Sequence, residues 1–180
     1  MHPDLERILF DEETLQAKVA EMGATLSRDY AGKTPLLICI LKGAALFMGD
    51  LVKRIDVPVE IDFMAISSYG QSTKSSGAVR ILYDLERPVE GRDVIIVEDI
   101  VDTGLTLAYL RDTMIRRQAA SVKIVSLFDK PSGRKVDIQP DYFGFTVPDA
   151  FIVGYGLDYA ERYRNLPYVG ILKSDIYATG

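Results

Sequence analysis

The densest chemistry in the chain lies in Val94-Ile95-Ile96-Val97-Glu98-Asp99-Ile100-Val101-Asp102-Thr103-Gly104-Leu105-Thr106. The apolar run predicts a buried strand, Glu98 and Asp99 put two carboxylates at its end, and an Asp-Thr-Gly-x-Thr turn opens a helix. Such a turn suits a phosphate monoester. Gly104 lets the backbone approach closely, the helix N-terminus supplies unpaired N–H groups, and Thr103 and Thr106 add hydroxyls. Glu98 and Asp99 repel phosphate, but they can accept hydrogen bonds from sugar hydroxyls or hold a hydrated Mg2+. One loop thus offers acceptors for a ribose beside donors for its phosphate. A plainer reading stands beside this one: acidic residues often end a buried strand, and Asp102 could serve only to cap the helix.

The elements that must position this loop can be read on either side of it. Leu15, Val19, Met22 and Leu26 recur at helical spacing behind Asp11, so the spacing predicts an amphipathic helix near residues 12 to 29. Leu36 to Leu41, between Pro35 and Gly43, has the length and flanks of a buried parallel strand, and Gly43 to Ile55 returns to a helical pattern. Val59, Ile61 and Phe63 alternate with polar residues and predict a strand ending near Ser67. From Ser68 to Gly77 the composition turns to Ser, Gly, Thr, Gln and Lys, which predicts a mobile loop with little apolar area to offset its ordering. Further strands are expected at Val79 to Leu85, Asp93 to Glu98, Ser121 to Phe128, Tyr142 to Val147 and Phe151 to Tyr155, with a helix over Thr106 to Gln118. Strands alternating with helices predict an α/β protein on a parallel sheet, whose ligands bind beyond the carboxyl ends of the strands.

Other chemistries are excluded. Lys42-Gly43 lacks the frame of a Walker A loop, and no Gly-x-Gly-x-x-Gly follows the first strand. His2 is the lone histidine and is expected at a disordered end, which argues against histidine catalysis and His-ligated zinc. Cys39 is the only cysteine, so no internal disulfide forms, and its apolar neighbours make it a core residue. A formal net charge of -5 attracts neither nucleic acid nor an anionic membrane. No apolar run approaches the ~20 residues of a membrane span, and the N-terminus lacks the regions of a signal peptide, so a soluble cytoplasmic protein is expected.

The thirteen-residue string closely resembles the phosphoribosyl pyrophosphate signature of the hypoxanthine-guanine phosphoribosyltransferase family. The resemblance runs from about Ile8 to Ile176 and includes further motifs in the family's order. Leu41-Lys42-Gly43 resembles the pyrophosphate loop, and Ser68-Tyr69 begins what resembles the mobile catalytic loop. Lys130 follows Ser126-Leu127-Phe128-Asp129, as does the family's purine-contacting lysine. The run from Phe151 to Tyr159, followed by Arg164, resembles the base-stacking and metal segment. Leu105 departs from relatives with a basic residue there, and Ala160 from relatives with a polar one.

The resemblance implies a type I phosphoribosyltransferase fold. Its central, mostly parallel sheet is flanked by helices, and a small hood is formed by the N-terminal segment and about residues 130–180, all in one domain spanning 1–180. It implies a purine salvage enzyme that moves the 5-phosphoribosyl group from phosphoribosyl pyrophosphate to hypoxanthine or guanine, giving IMP or GMP and pyrophosphate. By the same resemblance, Asp102 is the general base, and Glu98 and Asp99 contact the ribose hydroxyls, partly through Mg2+. The backbone from Asp102 through Thr103, Gly104 and Leu105 to Thr106 holds the 5'-phosphate. Lys42, Gly43 and Arg164 hold the pyrophosphate across a Leu41-Lys42 peptide that can be cis. On the purine side, Lys130 meets the oxo group, Phe151 stacks on the ring, the Ile152 carbonyl accepts from an exocyclic amine, and Asp158 takes part in metal binding. A homodimer or homotetramer is implied as well. Two alternatives share the fold: a regulatory RNA-binding protein, against which the acidic charge and the Lys130-to-Asp158 segment argue, and a phosphoribosyltransferase for another base, against which Lys130 and Phe151 argue.

Overall fold

Asp11 starts the first helix as its position predicts, its carboxylate accepting from the Thr14 N–H at 2.8 Å. That helix is α1 (Glu12–Asp29), and Leu15, Val19, Met22 and Leu26 form its buried stripe. It belongs to a computed structural model that describes residues 1–68 and 79–178. The remaining main elements are β1 (Leu5–Phe10), β2 (Leu36–Leu41), α2 (Ala45–Val52), β3 (Glu60–Ser68), β4 (Val79–Tyr83), β5 (Asp93–Val101), α3 (Leu105–Arg116), β6 (Ser121–Asp129), β7 (Tyr142–Thr146), β8 (Ile152–Val153), β9 (Val169–Leu172) and α4 (Ser174–Tyr177). Ser68, expected to open the loop, instead ends β3, paired with Val79 at the start of β4. The rest of the expected loop, Tyr69 to Gly77, lies outside the described residues.

The main sheet has six strands in the order β4-β3-β2-β5-β6-β7, parallel throughout except for β4 at its edge. Its central strands are apolar on both faces because both faces are covered. Leu37, Cys39, Ile95 and Val97 pack beneath α1 and α2, while Ile38, Ile40, Val94 and Ile96 pack with Leu107, Leu110 and Met114 of α3. From β2 the chain moves outward one way to β3 and β4, and from β5 it moves the other way to β6 and β7. The carboxyl ends of β2 and β5 therefore flank the point where the direction reverses, the place where open α/β sheets bind ligands. Leu41-Lys42-Gly43 follows one of those ends, and Glu98 to Thr106 forms the other.

A second sheet of three strands, in the antiparallel order β1-β9-β8, is built from both ends of the chain. The strand at 151 to 155 is shorter than its apolar run predicts. Positive φ at Gly154 (107°) and Tyr155 (49°) ends it, leaving Phe151 just outside β8. His2 is not at a disordered end. Its backbone N–H donates to the Tyr168 hydroxyl at 2.9 Å, and its ring meets Tyr163 edge-on. In β3 the expected alternation is present with the opposite faces buried. Met64 and Asp62 point inward, while Ile61 and Phe63 remain 50% and 36% exposed. Asp62 tolerates this because its carboxylate accepts from the N–H groups of Phe63 and Glu86.

Candidate active site

The end of β5 hands the chain directly to α3. Gly104 adopts φ 81° and is the residue before the first helical turn, so it is Gly104 and not Asp102 that occupies the cap. Asp102 is left exposed on the turn, and the reading of it as a helix cap is set aside. Thr103 Oγ1 accepts from Leu105 N–H at 3.4 Å, a long contact that leaves the start of α3 facing open space.

That open space is a cavity of about 470 Å3 lined by Leu41 to Gly43, Glu98 to Gly104, Thr106, Asp158, Glu161 and Arg164. A second cavity of about 260 Å3 is lined by Lys130, Ala150, Phe151, Ile152 and Leu157, and Asp99, Ile100, Asp102 and Asp158 line both. The residues expected to meet a sugar phosphate and those expected to meet a purine thus surround adjoining spaces, with Asp102 at the junction. Leu105, expected in the phosphate group, lines neither; its side chain is exposed and only its backbone begins α3.

The close approaches explain some of the residue types. The Leu41-Lys42 peptide is cis. A side chain on Gly43 would place its Cβ 1.8 Å from Asp99 Oδ2, so glycine lets this loop cross the acidic strand end without displacing the Asp99 carboxylate. Lys42 Nζ reaches Glu161 at 2.9 Å, and Arg164 Nη2 reaches Glu161 at 3.1 Å and Asp158 at 3.2 Å. Arg164 Nη1 also donates to the Gly156 carbonyl at 2.7 Å, so its head is aimed along the rim of the larger cavity. On the purine side, Lys130 Nζ lies 3.3 Å from Asp149, and its side chain is largely buried. Phe151 stacks against Tyr177 with centroids 5.1 Å apart and meets Tyr159 edge-on at 5.5 Å.

The paired carboxylates are electrostatically costly. Desolvation pushes the Glu98 carboxyl well above its ordinary pKa, and the Asp99 charge beside it adds to the shift. Desolvation raises Asp99 too, opposed by hydrogen bonds from Glu98 and the Ile100 N–H and by the charge of Arg164. Cys39, buried beneath them, has its thiol pushed up to about 12, first by burial and then by those same charges. Side by side on the wall of the larger cavity, the two acids can receive hydroxyls or a cation. Among the described residues no cluster of three or more acidic, histidine or cysteine side chains could enclose a metal ion. The donor set nonetheless fits Mg2+, which prefers hard oxygens, keeps several waters and is usually held by one or two carboxylates together with substrate phosphates.

Two residues around the site carry no mark in the sequence. Glu161 joins Lys42 across 119 positions, from a loop where Ala160, Glu161 and Tyr163 have positive φ without being glycine. Arg134 lies behind Asp102, bonded to backbone carbonyls.

Residues 8–160 match the family model of the phosphoribosyl transferase domain. A hypoxanthine-guanine phosphoribosyltransferase of Bacillus subtilis is 59% identical over 177 residues, 98% of each chain. A hypoxanthine phosphoribosyltransferase of Staphylococcus aureus superposes with a TM-score of 0.94 at 50% identity, covering 98% of this chain and 96% of that one. A hypoxanthine phosphoribosyl transferase of Trypanosoma cruzi also superposes at 0.94, with 41% identity over 99% of this chain and 97% of the other.

Proposed function

The chain belongs to the phosphoribosyltransferase family, and from that membership we propose that it moves the 5-phosphoribosyl group of phosphoribosyl pyrophosphate to hypoxanthine or guanine. The products are IMP or GMP and pyrophosphate. The observation that carries this reading is the pair of adjoining cavities that share Asp99, Asp102 and Asp158. A donor-rich turn lies on one side, and a lysine and an aromatic ring lie on the other.

The turn from Asp102 to Thr106 receives the 5'-phosphate through backbone N–H groups, including that of Leu105, and threonine hydroxyls. Glu98 and Asp99 accept from the ribose hydroxyls. The pyrophosphate lies against the backbone of Lys42 and Gly43 and against Arg164, whose positive charge stabilises it as it leaves. Glu98, Asp99 and Asp158 would hold Mg2+, whose chemistry there would be charge neutralisation at the leaving group. The purine packs on Phe151, with Lys130 donating to its oxo group and the Ile152 carbonyl accepting from an exocyclic amine. As the ring nitrogen bonds to the sugar it becomes more acidic, and Asp102 at the junction takes its proton.

We also propose that residues 1–180 form one domain, in which the small second sheet is the hood that brings Phe151 and Ile152 over the base. The protein acts in the cytoplasm as a homodimer or homotetramer. Its exposed Ile61, Phe63 and Tyr83 support self-association along the β3–β4 edge.

The test is chromatographic detection of IMP or GMP after incubation with phosphoribosyl pyrophosphate, MgCl2 and each base. Nucleotide should appear only when all components are present. Failure with both bases under those conditions overturns the proposal.

A further inference from the structure

Behind the turn that carries Asp102, the segment from Lys130 to Lys135 takes hold of three successive carbonyls. The Val101 carbonyl accepts from Lys130 N–H at 2.9 Å and from Arg134 Nη1 at 2.9 Å. The Asp102 carbonyl accepts from the same Nη1 at 2.9 Å, and the Thr103 carbonyl from Lys135 N–H at 2.9 Å. Arg134 is itself anchored, because its Nη2 is paired with Asp129 at the end of β6, and the two side chains are 11% and 9% exposed. A guanidinium is the group that can do this. Its planar fork spans a carboxylate on one prong and two carbonyls on the other, where an ammonium offers a single point.

The consequence follows from peptide geometry. In a trans peptide the C=O and the following N–H point in opposite directions. Carbonyls of Val101, Asp102 and Thr103 drawn toward Arg134 and Lys135 therefore turn the N–H groups of Asp102, Thr103 and Gly104 the other way. Those residues line the larger cavity. Gly104 is also seated on this segment, since a Cβ there would lie 2.4 Å from Ile138 and 3.2 Å from Cδ of Arg134. Thr103 N–H and Gly104 N–H have no acceptor among the described residues.

We propose that Arg134 is a positioning residue that aims the phosphate-binding amides of the Asp102–Gly104 turn, acting through the backbone without touching substrate. The inference rests on the reading of that turn as the 5'-phosphate site. It also places Arg134 on the loop that carries Lys130, so the purine side and the phosphate side share one mechanical support.

The experiment compares binding of IMP and of inosine, which lacks the phosphate, to the full-length wild type, to Arg134→Lys, and to Arg134→Gln combined with Asp129→Asn. The double variant removes the fork without stranding a buried carboxylate, so that a folding failure of one variant does not decide the matter. Misaimed amides forfeit charge-assisted hydrogen bonds, so IMP affinity should fall by roughly tenfold to a hundredfold in the double variant, with a smaller loss for Arg134→Lys. Inosine affinity should stay within about twofold, and the Michaelis constant for phosphoribosyl pyrophosphate should rise more than kcat falls. Unchanged IMP binding in the folded variants overturns the inference. So does an equal loss for IMP and inosine, which would mean general damage to the site. If the wild type itself binds inosine as tightly as IMP, the turn is not a phosphate site. The underlying reading then fails, and the inference fails with it.

Discussion

Asp102 stands exposed on the turn where the two cavities meet and lines both. As the proposed proton acceptor it should be replaceable in shape but not in chemistry. Asp102→Asn is expected to fold with an unchanged unfolding midpoint and to lose ~10²–10⁴-fold in kcat. Steady-state turnover checks this, and a variant keeping more than half of the wild-type rate would remove Asp102 from that role. At this scale the sequence was informative wherever the candidate site is contiguous. Glu98, Asp99, Asp102 and the two threonines lie in one string whose types already pair ribose acceptors with phosphate donors. It was silent where function depends on contacts across the chain. Nothing near Glu161 points to Lys42, 119 positions away, and nothing near Arg134 announces that its guanidinium meets carbonyls 32 and 33 residues back.

Among the elements, β5, its turn and α3 were readable because buried parallel strands are continuous apolar runs and α3 shows a clear helical stripe. The short 3-10 turn Pro131–Gly133 was not, although it packs directly against the candidate base. A Cβ on Gly133 would lie 1.7 Å from Asp102 Oδ1 and no closer than 3.5 Å to the Asp102 backbone. The backbone can therefore stay in place while the carboxylate is pushed aside. Gly133→Ala should accordingly fold normally and lose ~10²-fold in kcat, since a displacement of about 1 Å at a reacting group can cost that much. A variant with wild-type kcat would show that the carboxylate can move without consequence. The opposite phase of β3 has an equally local cause. The layer of α1 and α2 covers β2, whereas Ile61 and Phe63 on the neighbouring strand remain half-exposed on that side, and hydrogen bonds make Asp62 the buried residue.

The whole molecule closes by pairing its first strand with its last. β1 and β9 were missed because β9 has only four residues and β1, though six long, fully buries only Leu5. Two register irregularities interrupt their pairing, and the partners lie at opposite ends of the chain, where no local pattern links them. Leu5 is fully buried in the small core this sheet shares with Val153, Tyr163 and Leu172. Leu5→Ala should therefore cost about 2–5 kcal/mol, read as a lower midpoint in denaturant unfolding. Because β8 of that sheet carries Ile152 next to Phe151, the Michaelis constant for the purine should rise more than that for phosphoribosyl pyrophosphate. Equal changes in both would separate the small sheet from the base.

Base selectivity tests the whole account most directly. A lysine ammonium has donors only, so Lys130 is matched to the oxo group of hypoxanthine or guanine and opposed by the amino group of adenine. A buried donor facing a donor loses both its hydrogen bond and its hydration, which can give ~10⁴-fold discrimination. The measurement is kcat/KM for hypoxanthine, guanine and adenine, each with saturating phosphoribosyl pyrophosphate and MgCl2, for the wild type and Lys130→Ser. The wild type should use hypoxanthine or guanine efficiently and show almost no turnover of adenine, with the gap narrowed in the variant. Comparable wild-type efficiency with adenine would contradict the account.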